Sequence, residues 1–290
     1  MKQLLFTLNI GGTMRSFCIA FFAALCFSPA VLGQGNIRSV DFKNFTYSVQ
    51  CISETPQDIT VKDGEFSKEE QQEGYVDRYQ FNVYDIAFGD LDRDRSDEAT
   101  VLTICNTGGT GNFSEGYVFS MKHGKPALVT RIPGGDRAYG GLRRTRVENG
   151  LLVVESNDVG PEGGACCPQV IVTTTYRVSG GRIAKVGKEV RREIYPKERL
   201  TFAKGTSGKT FKATLPPEEG KRFVIGAKAG QTLTVSIDTN KASLRLLEET
   251  EIKFGINNFL ARLPKSGDYT IEVQNDSDAE VTLTVNVRIQ

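Results

Sequence analysis

Five apolar side chains alternate with polar ones at the C-terminus: Val281, Leu283, Val285, Val287 and Ile289, with Thr, Asn and Arg between them. Period two puts all five on one face of a β-strand, the pattern of a strand lying against a core. Tyr269, Ile271 and Val273 repeat it, and so do Leu233, Val235 and Ile237. Ala229-Gly230, Ser266-Gly267-Asp268 and Asn275-Asp276-Ser277 supply turns between the runs. Two facing sheets would bury all these faces, which predicts a β-sandwich, jelly-roll-like in form. Upstream, residues 99–104, 117–121, 127–132, 151–155 and 169–178 are strand-like, and Lys122-His123-Gly124-Lys125 predicts a hairpin turn. Only residues 67–73 (SKEEQQE) have a helical look, and they are short and polar, which suits a solvated loop or a single turn. The fold class expected is all-β.

Residues 185–199 hold nine charged side chains in fifteen positions, with one Pro. This composition break divides a Gly- and Cys-containing β domain, residues 36–190, from a Cys-free β-sandwich domain, residues 197–290. Composition is otherwise that of a globular protein, 39% hydrophobic and 24% charged. A net charge of +1 gives no electrostatic case for nucleic acid or an acidic membrane surface as partner.

The N-terminus changes the picture. Met14-Arg15 precedes an apolar run over residues 16–33 that ends in Val31-Leu32-Gly33. A short positive start, an apolar middle and small residues at the end make a secretory signal peptide, residues 1–33, with cleavage near Gln34. A membrane anchor is the alternative. The run is at the short limit for spanning a bilayer, and Pro29 interrupts it. No stable span is expected after cleavage, and the location expected is secreted or periplasmic.

Export decides what the cysteines do. Six in the chain become four without the leader: Cys51, Cys105, Cys166 and Cys167. An even number in an exported chain reads as disulfides. The vicinal pair would close a strained ring, so bridges from Cys166 and Cys167 to Cys51 and Cys105 are the expectation. A redox or metal site finds no CxxC spacing and only one His to support it.

Asp90, Asp92, Asp94 and Glu98 stand at positions 1, 3, 5 and 9 of a loop before the 99–104 run. Acidic side chains so spaced can converge on one cation, calcium by preference. The loop resembles the D-x-D-x-D-G loop of integrin-like repeats, with Arg95 where the turn glycine is expected and Arg93 at a second common glycine position. Two guanidiniums could instead neutralise the carboxylates without metal, so both readings stand. Residues 203–210 (AKGTSGKT) match a relaxed phosphate-loop pattern. FKATLPP follows, which is no helix, and no nucleotide is expected as a ligand. His-dependent hydrolysis would need His123, which falls in a predicted turn between lysines. Glu115 and Asp136 could be imagined as a glycosidase pair, but 35 acidic residues produce such pairs by chance. Residues 106–116 (NTGGTGNFSEG) and 133–141 (PGGDRAYGG) are loops that could flank one surface with Arg137, Tyr139, Arg143 and Arg144. Exposed aromatic and Arg groups suit a binding patch; ordinary long hairpin loops are the plainer reading.

Three segments then carry a resemblance: Phe202-Ala-Lys-Gly205-Thr206, Ala227-Lys-Ala-Gly230-Gln231-Thr-Leu233-Thr-Val235 and Leu263-Pro264-Lys-Ser-Gly267-Asp268-Tyr269-Thr-Ile271. They resemble the bacterial pre-peptidase C-terminal domains and the small periplasmic inhibitors of g-type lysozyme. The resemblance spans the last third of the chain and implies a compact β-sandwich without catalysis of its own. In the inhibitors, surface loops act in the enzyme cleft. Residues 105–111 and 165–168 resemble segments of uncharacterised exported bacterial proteins, which adds no function. The expectation is therefore an exported, non-catalytic binding protein of the bacterial envelope, with an envelope or extracellular protein or glycan as partner. Inhibition of g-type lysozyme by the C-terminal module is the alternative.

Overall fold

The computed structural model describes residues 35–51, 55–161 and 163–290. The signal peptide expected at residues 1–33 lies outside them.

A 3-10 turn at Ile37–Ser39 leads into a two-stranded ribbon, β1 (Thr46–Val49) and β2 (Gln57–Thr60). A five-stranded antiparallel meander follows: β3 (Glu65–Gln71), β4 (Val76–Gly89), β5 (Glu98–Asn106), β6 (Phe113–Lys122) and β7 (Lys125–Ile132), in that spatial order. The polar stretch 67–73 is thus edge strand β3 for most of its length, neither helix nor loop. Its alternation was masked because the strand is exposed along nearly all its length. Charged side chains are common on such an edge.

Strand β5 is buried almost throughout because the meander is covered on both faces. One face meets an aromatic cluster in which Phe42, Tyr47, Phe81 and Tyr117 are fully buried. The other meets a second sheet, β8 (Leu142–Glu148), β9 (Leu151–Asp158), β10 (Val170–Ser179) and β11 (Arg182–Lys185), ordered β11-β10-β9-β8, with β12 (Val190–Glu193) also on β10. Leu102, Val118, Ile132, Leu152 and Val154 fill the space between the sheets. Strands buried on both faces read as continuous apolar runs rather than alternations. That is why residues 99–104 (ATVLTI) show no apolar–polar alternation, and why Thr100 and Thr103 are buried along with their apolar neighbours.

The last region contains β13 (Lys197–Arg199), β14 (Gly208–Leu215), β15 (Gly220–Ala227), β16 (Thr232–Ile237), β17 (Ala242–Leu246), β18 (Ile252–Gly255), β19 (Asn258–Arg262), β20 (Gly267–Asn275) and β21 (Val281–Ile289). They form two sheets, β13-β15-β20-β17 and β14-β21-β16-β19-β18. Apart from the parallel pair β13–β15 the strands run antiparallel, a β-sandwich in jelly-roll style. The alternating residues anticipated for its core are there: Leu233, Val235, Ile271, Val273, Leu283 and Val285 are all buried in one cluster. That cluster begins at Leu200 and takes nothing from the first 190 residues.

The charged break at 185–199 is not a loose linker. Strand β12 pairs with β10, and three residues later β13 pairs with β15. Arg192 lies between two buried carboxylates, Glu155 at 3.4 Å and Glu219 closer still. Gly220 donates from its backbone to the Ile194 carbonyl at 3.2 Å, and its Cα faces the Tyr195 ring so closely that a Cβ would stand 2.5 Å from Cε1. The described residues all belong to one compact unit, Gln34–Gln290.

The cysteines pair differently from expectation. Cys51 is bonded to Cys105, with Cα atoms 6.2 Å apart, and Cys166 to its neighbour Cys167. The crossed pairing fails for a topological reason. Cys105 lies near the end of β5 on the buried face beside β1, whereas the vicinal pair sits in the exposed loop before β10.

Candidate functional site

Three loops converge at one end of the N-terminal region. The 106–112 segment is organised by Asn106, whose side-chain amide donates to Gly111 O at 2.7 Å and Asn112 Oδ1 at 3.0 Å and whose Oδ1 accepts from Gly108 N. Segment 133–141 is stitched to it: Asn112 N donates to Asp136 Oδ1, Arg137 N to Asn112 O, and Ser114 N to Gly135 O. The third loop, around Cys166–Cys167, joins through Ala138 N to Ala165 O at 3.2 Å. Glycines are required where backbones touch. A Cβ on Gly134 would lie 2.0 Å from Ser114 O, and one on Gly135 equally close to Tyr139 O.

This packing leaves two aromatic rings in solvent, Phe113 and Tyr139, the latter 59% exposed. Isolated bridges Phe113↔Asp136 and Asp136↔Tyr139 hold both residues around one backbone position. The anticipated surface of Tyr139 with the arginines is met in part. Arg137 turns back onto Asp136 with two bonds of 3.0 and 3.2 Å, which hold the Asp136 carboxyl below the usual carboxylate range. Arg143 is largely buried, donating to Asn157 and pairing with Glu218.

Beside Phe113 opens a cleft of about 460 Å³, bounded by Gln50, Glu115, Arg131 and Pro133. Glu115 accepts from Gln50 N at 3.1 Å and from the Tyr117 hydroxyl, and faces Arg131 Nη1 at 3.6 Å. Arg131 Nη2 donates to Ser48 O, and its guanidinium lies 5.0 Å from the Tyr117 ring centroid. Burial, then the Glu115 carboxylate, push the Tyr117 hydroxyl well above its ordinary pKa. Glu115 and Asp136 are thus each committed to their own network. His123 takes φ 50° and Gly124 φ 75° at the β6–β7 turn, as a tight hairpin requires. The phosphate-loop look-alike runs into β14 rather than a helix.

The acidic loop joins β4 to β5. Asp90 accepts from Arg93 N at 2.6 Å and Arg95 N at 3.0 Å, and Asp92 accepts from Asp94 N. Arg93 and Arg95 adopt φ 67° and 73°, the left-handed conformation that explains the glycines expected there. One carboxylate oxygen each from Asp90, Asp92 and Glu98 lie within 4.8 Å of one another. Asp94 is outside that trio and accepts from Ser96 N instead. Glu98 is buried and accepts from Leu91 N; burial foremost, and the neighbouring aspartates, push its carboxyl up to about 7. The Arg93 guanidinium reaches the Asn149 carbonyl, and among the described residues no ion pair joins Arg93 or Arg95 to these carboxylates. Hard oxygen donors so grouped suit calcium, which takes its remaining ligands from carbonyls and water.

No family model matches the chain, and no curated protein matches it. Among solved structures it is similar to the Aeromonas hydrophila PliG, a periplasmic lysozyme inhibitor of g-type lysozyme, at 24% identity and TM-score 0.30, over 33% of this chain and 98% of that one. It is also similar to a mutant of the Escherichia coli PliG at 18% identity and TM-score 0.28, over 33% and 99% of the two chains. The Salmonella Typhimurium PliG gives 19% identity and TM-score 0.28, with coverage of 33% and 98%. Superposition at this level bears no argument about this chain.

Proposed function

We propose that this chain is a non-catalytic binding protein of the bacterial cell envelope, exported by its leader, and that it holds a protein or glycan on the loop platform of Phe113 and Tyr139. The observation that supports this reading is the pre-organised platform: three loops fastened by backbone hydrogen bonds keep two aromatic rings in solvent beside a cleft. Rigid exposed aromatics bind with little loss of conformational entropy. The nearby carboxylates are held by arginines or buried hydroxyls, an arrangement that fixes shape. Two disulfides fit an oxidising compartment such as the periplasm.

The test is binding of the purified protein to isolated peptidoglycan and to immobilised envelope proteins. Phe113→Ala and Tyr139→Ala are each expected to weaken retention about tenfold or more, the size of an interface hot spot, with an unchanged melting temperature. Equal retention by both variants would sink the platform reading.

The second reading, inhibition of g-type lysozyme, rests on the resemblance of residues 202–206, 227–235 and 263–271. Those segments hold the buried Leu233, Val235 and Tyr269 and the turns beside them. Stoichiometric amounts of the purified protein would then slow lysis by g-type lysozyme, and no slowing would remove this reading while leaving the first intact.

Asp90, Asp92 and Glu98 complete the proposal as a calcium site that braces the β4–β5 loop. Calcium at a hundred times its Kd would add about 2.7 kcal/mol of stability by mass action. The melting temperature is expected to rise with millimolar calcium and fall with chelator, and Asp92→Asn should shrink the difference. Identical melting in calcium and chelator would decide against the site.

A further inference from the structure

Strand β18 is the outer strand of its sheet, and among the described residues nothing pairs with its free side. The hairpin it makes with β19 leaves Phe254 67% and Ile256 89% exposed, the most exposed large apolar side chains of the described residues. An open, apolar sheet edge invites pairing with another strand, and proteins normally blunt it. Here the blunting is incomplete: the edge carries one Lys and one Glu around Ile252.

The hairpin geometry says which backbone groups are free. Gly255 and Asn258 close a two-residue turn and face each other, with Asn257 at φ 58°. In an antiparallel pair, hydrogen-bonded and non-bonded positions alternate. Gly255 and Lys253 therefore bond inward to β19, and Phe254 and Ile252 aim N–H and C=O outward. The neighbouring strand confirms the phase. Leu263 N donates to Gln231 O toward β16, whereas the Arg262 carbonyl accepts from the Thr250 hydroxyl on the β18 side.

We propose that β18 pairs antiparallel with β18 of a second copy of this chain, about a two-fold axis through Ile252, joining two five-stranded sheets into one. In this register Ile252 faces Ile252 of the second copy, so the outward-aimed backbone groups of one strand meet those of the other. Lys253 then stands opposite Glu251 of the second copy, twice over, because Glu251-Ile252-Lys253 is charge-complementary to its own reverse. The neighbouring registers are excluded by the same residues. A shift one way sets Lys253 against Lys253, and a shift the other way sets Glu251 against Glu251. The pairing also brings Phe254 beside Ile252 of the second copy, on the same face of the joined sheet. This goes beyond the binding function proposed above and does not depend on it.

The experiment is sedimentation of the purified protein across a wide micromolar concentration range, with three charge variants. The wild type is expected to dimerise reversibly. Lys253→Glu and Glu251→Lys should each weaken the dimer about tenfold or more, since like charges would then meet at both ends of the pair. The double swap, Glu251→Lys with Lys253→Glu, rebuilds the complementarity and should recover the wild-type affinity. All these positions are exposed or at the strand margin, so the variants should keep the wild-type circular dichroism. Ile252→Pro removes an outward N–H without touching the bonds to β19 and should abolish the dimer. A wild type that stays monomeric throughout, single variants that dimerise normally, or a double swap that stays as weak as the singles would each overturn the proposal.

Discussion

Leu283→Asp is expected to abolish the unfolding transition of the C-terminal sandwich and to leave the N-terminal cores folded. Leu283 is the third residue of β21, 2% exposed, opposite Ala213 of β14. Removing a buried leucine costs about 2–5 kcal/mol in lost transfer and cavity, and a buried carboxylate without a partner adds several more. The sum approaches the whole stability of a small domain, about 5–15 kcal/mol. The effect should stay local because the sandwich core draws on no residue before Leu200. Calorimetry of the wild type would show two transitions, of which the variant keeps one. Near-UV dichroism gives an independent reading: the signal of Tyr47 and Tyr117, buried in the aromatic cluster, should persist. A single transition lost as a whole would mean that the contacts of Arg192, Tyr195 and Gly220 bind the two regions into one cooperative body.

That junction illustrates what the sequence concealed. Nine charges in fifteen positions look like a solvated linker. The meaning changes only when Arg192 is seen between Glu155 and Glu219, which lie 37 and 27 residues away in the chain. Ion pairs between distant segments leave no local signature. One-sided strands did leave one. Strands β16, β20 and β21 were legible because one face meets a core and the other meets water, so polarity alternates. Strand β3 was illegible because the pattern fades once both faces meet water. Strand β18 is hard to read for a related reason: it is an edge strand of four residues, three of them exposed, Phe254 included.

Much of the candidate site was legible in its parts, though not in its assembly. Segment 133–141 is the loop its glycines predict, whereas of the expected loop 106–116 only residues 107–112 are loop, residues 113–116 being the start of β6; the structure joins the two through Asp136. Phe113 carried no signal, since a single aromatic beside Ser and Glu looks like any strand start. The acidic loop was visible by spacing, but only the geometry separates Asp90, Asp92 and Glu98 from Asp94. The left-handed conformation for which glycine is the usual choice is adopted here by two arginines.

The two disulfides should differ sharply in what they contribute. Cys51–Cys105 closes a segment with a sequence separation of 54 residues, and loop-closure entropy for that length corresponds to about 4 kcal/mol of destabilisation of the unfolded chain. Cys105 is also buried against the aromatic cluster, and Cys51 packs on it, so removal loosens β1 against β5. Cys166–Cys167 joins adjacent residues and constrains almost no unfolded chain, so the same reasoning assigns it little global stability. What it holds is local: the loop whose Ala165 carbonyl accepts from Ala138, next to Tyr139. Urea denaturation of Cys51→Ala/Cys105→Ala is therefore expected to lose about 2–4 kcal/mol, whereas Cys166→Ala/Cys167→Ala should unfold close to the wild-type midpoint. The second variant should instead show faster amide exchange at Ala138 and weaker retention on whatever the platform holds. Comparable losses of stability in the two variants would show that the vicinal bridge secures the N-terminal core, contrary to its place in an exposed loop.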